Sequence, residues 1–421
     1  MEEHYVRGVT SLTFDHLEIG PWRQFERLDI DLSSQLTILT GANGAGKTTL
    51  LSLLGYHFNW TSPFVGSQRR RRSRGREYTY EEEGRLKSVS YEGASETIGG
   101  LHYSDGSWTP LSVPTTSAPQ FSVAFDRQQA VEGLFITSHR ASSGYKAVTS
   151  IPSRFSGASE LFQQFTKEIR DPVMGKSSRK NPRLVMKESL LAAALYGEQT
   201  SSVRSDNEAR EVWIGFQDHL RELLPDSLGF RRLVAEPPEI IVETRHGEFA
   251  LDALSGGLTS IFELSWQIFL ESRDHDIFTV CFDEPENHLH PALQRSIMPS
   301  LMRSFPRVNF VVATHSPFVV TSSQEASVIA LSRDDAGRVR ADSLKFSEYG
   351  VSAEATLEEV LGVSTTLPIW AEEAFAAVLN RHAGSMPTAD VLRSIRDELA
   401  ELGLSNEIPR ALSAIVDGYT E

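Results

Sequence analysis

The sequence predicts an α/β protein with a mixed central sheet, an antiparallel β-subdomain, a helical lobe and a C-terminal helical tail. Three observations carry this. A glycine-rich loop lies between a short apolar run and a helix-like run at residues 36–54. Two further apolar runs, 278–282 and 309–313, end abruptly in polar groups, as buried parallel strands do at a ligand crevice. Apolar residues recur at helical spacing over 156–224 and again after residue 350.

Taken in order, residues 10–19 and 25–32 alternate like antiparallel strands. Leu36–Thr40 reads as a buried strand, and Gly41–Thr49 (GANGAGKTT) fits the phosphate-loop pattern at Gly41, Gly46, Lys47 and Thr48. Such a loop turns backbone N–H groups inward onto phosphates, and the following helix N-terminus adds positive potential. The expected nucleotide contacts are Asn43, Gly44, Ala45, Gly46, Lys47, Thr48 and Thr49. Lys47 would reach the β- and γ-phosphates, and the Thr48 hydroxyl would ligate Mg²⁺.

From Tyr78 to Phe125, short alternating runs (77–81, 86–91, 100–103 and 121–125) predict an antiparallel subdomain. Helices are expected over 159–170, 184–196 and 207–224, then a hairpin over 240–251. Leu254-Ser255-Gly256-Gly257 opens a long apolar helical run. A serine hydroxyl and free N–H groups at a helix start offer a second anion site, although Ser-Gly-Gly alone is a common turn string.

Phe278–Phe282 is an apolar strand that ends in Asp283 and Glu284. Asp283 is placed to hold Mg²⁺. Glu284 is placed to polarise an attacking water. Asn309–Ala313 ends in Thr314-His315-Ser316-Pro317, where His315 can hydrogen-bond a γ-phosphate or its water. Strands over 326–332 and 339–347 close this half.

These four motifs, in this order and spacing, resemble an ABC-type ATPase head. The string Asp283-Glu284-Pro285-Glu286-Asn287-His288-Leu289-His290-Pro291, with Ala313-Thr314-His315-Ser316-Pro317, is similar to the OLD- and RecF-like class rather than to transporter subunits. The resemblance covers roughly residues 8–345. It implies ATP and Mg²⁺ as ligands and ATP hydrolysis as the activity. Asp283 and Glu284 would be the Walker B pair, His315 the switch residue, and Ser255, Gly256 and Gly257 a signature acting on the partner's nucleotide. It thus implies a homodimer or higher oligomer with heads sandwiching ATP.

The glutamine that ABC heads use to sense the metal has no convincing counterpart among Gln120, Gln128 and Gln129. Ser138-His139-Arg140 resembles a segment of related defence ATPases. Arg140 is either a phosphate-facing group or a surface arginine.

At 421 residues and 40% hydrophobic content the chain can hold two or three domains. The expected boundaries are 1–154 for the first half of the head, 155–230 for the helical lobe, 231–348 for the second half and 349–421 for the tail. No apolar run approaches the roughly 18 residues that span a bilayer, and the N-terminus lacks an apolar signal region, so a cytoplasmic protein without a membrane partner is expected. The one cysteine, Cys281, lies in the Walker B strand and reads as inert core.

A net charge of −15 argues against a general DNA-coating surface. The exception is Arg69-Arg70-Arg71-Arg72-Ser73-Arg74-Gly75-Arg76. It reads as a nucleic-acid contact, a solvated insertion or a patch for an acidic protein.

No heptad pattern persists, which excludes a long-armed SMC protein. The tail reads as four short helices (349–361, 370–380, 389–402, 408–416) without the α/β pattern of a TOPRIM nuclease. Such a tail is similar to those of Septu- and retron-associated ATPases. That likeness implies a sensor or scaffold in antiviral defence with a separate effector protein. A RecF-like repair ATPase that clamps DNA is the alternative. The tail's apolar residues Val360, Leu361, Leu367, Trp370, Phe375, Val378 and Leu379 are expected to present a face to a partner.

Overall fold

A computed structural model describes residues 11–71, 75–79, 95–114, 119–139, 144–178, 180–199, 204–344, 369–382 and 386–420, with side chains left undescribed at 67–71, 75–79, 369 and 416–420. The chain divides into two compact units, Met1–Thr356 and Leu357–Glu421.

The first unit opens with β1 (Phe14–Ile19), β2 (Leu28–Asp31), β3 (Leu36–Gly41) and α1 (Lys47–Gly55). Short strands follow: β4 (Phe64–Val65), β5 (Ser67–Arg71), β6 (Gly75–Thr79), β7 (Ser95–Tyr103), β8 (Trp108–Pro114), β9 (Gln120–Phe121), β10 (Ala124–Phe125) and β11 (Gly133–Ile136). Next come helices α2 (Ala158–Val173), α3 (Pro182–Gly197) and α4 (Asn207–Leu223). Strands β12 (Phe230–Glu236), β13 (Glu239–Thr244) and β14 (Gly247–Ala250) lead to α5 (Gly256–Asp274). The unit finishes with β15 (Thr279–Asp283), α6 (Pro291–Ser304), β16 (Asn309–Ala313), α7 (Pro317–Val320), β17 (Ser327–Arg333) and β18 (Val339–Leu344).

The central sheet runs β11-β15-β16-β3-β17-β18. All its neighbours are parallel except β17 and β18. Its strands are apolar on both faces because both are covered. Ile38, Val280, Phe282, Phe310, Val312 and Val328 face a core shared with helices α2 to α6. Leu39, Cys281, Val311, Ala313, Ile329 and Leu331 face the opposite core, built with Leu50, Leu51, Leu53 and Leu54 of α1 and an antiparallel sheet ordered β10-β8-β7-β1-β2. Cys281 is fully buried there, and burial pushes its thiol far up, so it stays unreactive.

The helical lobe is organised around α5, buried nearly all round through Ile261, Phe262, Leu264, Trp266, Ile268 and Phe269. Phe216 of α4 meets Trp266 edge-on at 4.8 Å, tying α4 to α5.

Several expectations change. Trp108–Pro114 is a strand that the sequence reading left out, and Phe230–Glu236 adds a third strand to the expected 240–251 hairpin. Residues 86–91 and the first tail helix, 349–361, lie outside the described residues. The arginine-rich run is not a structureless insertion where it is described. Its backbone forms an antiparallel arm in which Arg69 pairs with Glu77 and Arg70 with Arg76. Arg72 lies outside the described residues, as does Arg140.

The second unit holds α8 (Ile369–His382), α9 (Ala389–Glu401) and α10 (Ile408–Thr420). Phe375 and Val378 do not present a face to a partner. They are buried in this unit's own core with Ile395, Leu399, Leu404, Ala411 and Ile415, and Leu379 packs against them. The spacing of apolar residues is the same for a face that seeks a partner and for one that closes on sister helices. Trp370 remains 62% exposed. Val360, Leu361 and Leu367 lie outside the described residues.

Candidate nucleotide site

Parallel register brings the sequence motifs together. Asp283 pairs with Ala313, and Ala313 with Leu39, so β15, β16 and β3 end side by side. Ile136 pairs with Phe282, which sets Thr137 and Ser138 beside Asp283. This is the crevice at the carboxyl ends of strands where open α/β sheets bind nucleotides.

The loop after β3 needs its glycines. Gly41 has φ +135°, and a Cβ there would lie 2.3 Å from the Leu331 carbonyl oxygen. Gly46 has φ +100° and abuts the Phe25 ring at 2.5 Å by the same measure. Asn43, Gly44 and Ala45 form the turn, Thr48 and Thr49 the start of α1.

Lys47 is buried. Its Nζ donates to the carbonyls of Gly41 (2.7 Å) and Ala42 (3.1 Å) and to His315 Nδ1 at 3.3 Å. His315 Nε2 lies 3.8 Å from the Glu284 carboxylate. Burial, then Lys47, pulls the His315 pKa down and keeps the ring neutral. Burial also pulls Lys47 down to about 8, against the attraction of Glu284, Asp283 and Glu286.

The Thr48 hydroxyl lies 3.2 Å from Asp283 Oδ1. Burial, then the neighbouring Glu284 charge, pushes Asp283 up to about 6, although hydroxyls of Thr48 and Ser138 donate to it. An all-oxygen set of hydroxyl and carboxylate groups, with a carboxylate that burial makes costly to ionise alone, fits Mg²⁺.

Glu284 has φ +52°, a left-handed conformation that a side chain adopts only under constraint. The constraint is visible: its N–H donates to the Ala313 carbonyl at 2.8 Å. The Asn287 amide donates to the Glu284 carboxylate at 2.8 Å and to the Ser138 carbonyl at 3.2 Å.

Four contributors were not assigned from the sequence. Ser138 and Asn287 lie inside motif strings already noted. Glu286 binds the switch loop through three donors. Arg333 donates to the Gly44 carbonyl at 2.9 Å and braces the phosphate loop. None of the three candidate glutamines bonds a site residue in the described set. Gln120 lies in β9, paired with β4, and the Gln129 amide is spent on the Arg127 carbonyl.

Ser255 caps α5, accepting from Leu258 N–H at 3.5 Å. Gly257 is required where it stands, since a Cβ would lie 2.7 Å from the His288 carbonyl oxygen, while Gly256 has open space. The approach to Ser255 is held by Lys187. Fully buried on α3, it bonds Asp252 at 2.5 Å, Glu239 at 2.6 Å and the Lys146 carbonyl at 3.0 Å. Burial alone would lower its pKa, but the two carboxylates outweigh it and the net shift is upward.

Known proteins resemble both halves of this arrangement. An AAA-domain model matches residues 16–211, and a second, whose description names the AbiEii toxin and Type IV TA system, matches residues 216–321. Both matches describe an AAA domain, and between them they take in the loop after β3 and the ends of β15 and β16. The chain is 26% identical to the Septu protein PtuA of Bacillus thuringiensis over 34% of this chain and 40% of that one. It is 30% identical to the Retron Vc95 probable ATPase of Vibrio cholerae over 20% of this chain and 19% of that one. It is 41% identical to the DNA replication and repair protein RecF of Roseiflexus castenholzii over 13% of this chain and 14% of that one. The matched part thus spans less than half the length of each of these relatives. The SMC head bound to the C-winged helix domain of ScpA is a distant likeness, with 15% identity and a TM-score of 0.44 over 80% of this chain and 98% of that one. No helix among the described residues is long and apolar enough to cross a membrane.

Proposed function

We propose that this chain hydrolyses ATP to ADP and phosphate, and that its head uses the cycle to control a separate effector protein in an antiviral defence complex. The observation that carries the chemistry is the convergence of Lys47, His315 and Glu284 at the mouth of one crevice, with Thr48 and Asp283 beside them. Backbone N–H groups of residues 43–48 receive the phosphates, and Lys47 exchanges its loop carbonyls for phosphate oxygens. Glu284, oriented by Asn287, takes the proton of the attacking water. His315, kept neutral by burial and Lys47 and with Nε2 on the Glu284 side, hydrogen-bonds the γ-phosphate or that water. Mg²⁺, held by Thr48 and Asp283 with Ser138 adjacent, would offset charge building on the phosphate oxygens. Ser255 and the α5 N-terminus complete the site of a second head, as the resemblance implies, so that two heads close on two nucleotides.

The control of an effector rests on the Septu and retron relatives and on a compact helical unit after the head. The RecF relative, together with the arginine-rich arm at β5 and β6, supports the second reading, an ATP-dependent clamp on DNA. Native purification of the tagged chain with mass spectrometry tests the first, alongside phage challenge of cells that carry wild type or Lys47→Ala. A stoichiometric nuclease or toxin, with protection lost in Lys47→Ala, is the expected result. Sensitivity to DNA damage without a phage phenotype would favour the clamp.

A further inference from the structure

β11, which brings Ser138 to the crevice, and α5, which begins beside Ser255, carry a second group of chemically active side chains at their opposite ends. Glu132 immediately precedes β11, and its carbonyl accepts from Thr279 N–H at 2.9 Å. Glu271 lies in the last turn of α5. His275 follows that helix, its N–H donating to the Glu271 carbonyl at 3.1 Å. His275 Nε2 lies 3.6 Å from a Glu132 carboxylate oxygen and 4.0 Å from one of Glu271. One donor atom from each of the three residues falls within 4.8 Å of the others.

Glu271 is the member that needs an explanation. It is 6% exposed, and its carboxylate accepts no hydrogen bond among the described residues. The nearby cation does not serve it, because Arg273 is turned to Glu211. Burial, then the charges of Glu132 and Asp274, pushes its acid up to about 8. The unpaired carbonyls at a helix C-terminus add further negative potential. A buried carboxylate in such a place is costly unless it holds a proton or meets a cation.

Two carboxylates and one imidazole form a donor set for a divalent transition metal. Donor atoms about 3.4 Å apart would suit a tetrahedral ion with bonds of about 2.1 Å. The separations from His275 are 3.6 and 4.0 Å and all three donors lie within 4.8 Å of one another, and the half-exposed Glu132 and the partly exposed His275 have room to close in.

We propose that Glu132, Glu271 and His275 bind one divalent transition cation, Zn²⁺ by preference, which ties the end of the signature helix to the start of the sheet-edge strand. Thr279, bonded to the Glu132 carbonyl, and Asp283 stand at opposite ends of β15, about 13 Å apart, so this ion would be separate from one at Thr48 and Asp283. It sets the position of α5 and touches no nucleotide.

The test uses tag-free, metal-stripped full-length protein without nucleotide, titrated with Co²⁺ and followed by its visible absorption, then displaced with Zn²⁺. The variants are Glu132→Gln, Glu271→Gln and His275→Gln, with Asp283→Asn as the control for the crevice. Wild type and Asp283→Asn are expected to take up one equivalent that Zn²⁺ displaces. Each of the three ligand variants should bind at least about 10-fold more weakly. Zn²⁺ should raise Tm in wild type and not in Glu271→Gln. Glu132→Gln changes a half-exposed side chain, so it keeps the test open should Glu271→Gln fold poorly. Wild type without Co²⁺ uptake, or uptake unchanged in both Glu132→Gln and His275→Gln, would overturn the proposal.

Discussion

Glu286 and His315 are joined through one oxygen. Glu286 Oε1 accepts the His315 N–H at 2.9 Å, the Ser316 N–H at 3.1 Å and the Thr314 hydroxyl at 2.7 Å. The loop that follows β15 therefore holds the loop that follows β16, and the position of His315 depends on the Glu286 carboxylate. Glu286→Ala leaves buried donors without an acceptor, at a cost of about 1–3 kcal/mol for each that water cannot reach. Denaturant unfolding should show the loss, and ATP turnover should fall at least about 10-fold. Glu286→Gln retains an acceptor oxygen and should recover most of both. An alanine variant with wild-type stability and turnover would contradict this role.

Lys47→Ala removes the cation at the mouth of the phosphate loop. A charge-assisted contact contributes about 1.5–3 kcal/mol, so nucleotide affinity should fall by about 10-fold or more. Calorimetric titration measures it directly, and unchanged affinity would remove the phosphate-loop assignment.

Asp283 gives the site a pH dependence with a definite sign. Its folded pKa, raised to about 6 by burial and Glu284, stands above the ordinary 3.8. The folded chain thus binds this proton more tightly than the unfolded chain. The associated stability is fully present below about pH 4 and is lost as pH rises through 6. Metal binding runs the other way, because the cation displaces the proton. Mg²⁺-dependent nucleotide affinity should weaken about tenfold per pH unit below 6 and level off above it. Asp283→Asn should flatten that profile. A wild-type profile with no inflection near 6 would rule out Asp283 as the metal carboxylate.

Lys187→Met removes the buried ammonium shared by Glu239 and Asp252 and leaves them to Tyr145 and Arg183. Breaking a buried pair by removing one partner costs about 3–5 kcal/mol. The change should appear as a lowered midpoint in urea. Because Asp252 lies three residues before Ser255, ATP turnover should fall more than nucleotide affinity. Equal losses in both would point to general unfolding rather than to a displaced signature.

Much of this was legible in the sequence because the site is built from strand ends, and each strand end is a local string. The phosphate loop, Asp283-Glu284 and His315 could be found without knowing which strands are neighbours. Glu286 could not. Its partners lie 28 to 30 residues away, and only the β15–β16 adjacency brings them together. Trp108–Pro114 was missed because Pro110 and Pro114 argue against a strand. The structure accommodates them because β10 pairs only with Leu111 and Ser112. Phe230–Glu236 was missed because Arg231 and Arg232 interrupt its alternation. Arg232 is held across the sheet by Glu243 at 2.6 Å. Phe375 and Val378 show the opposite failure. Their spacing was plain, but whether they face a partner or their own sister helices is a tertiary fact.

The most direct test of the account is the mass and turnover of Glu284→Gln with ATP and Mg²⁺. A positioned general base contributes about 10²–10⁴-fold, so hydrolysis should slow by that amount while ATP stays bound. With ATP trapped, sedimentation should show a species of at least twice the 46.8 kDa chain, which disappears in the additional variant Ser255→Arg. Wild-type turnover in Glu284→Gln, or a monomer that binds ATP and never associates, would contradict hydrolysis at Glu284 between two closing heads.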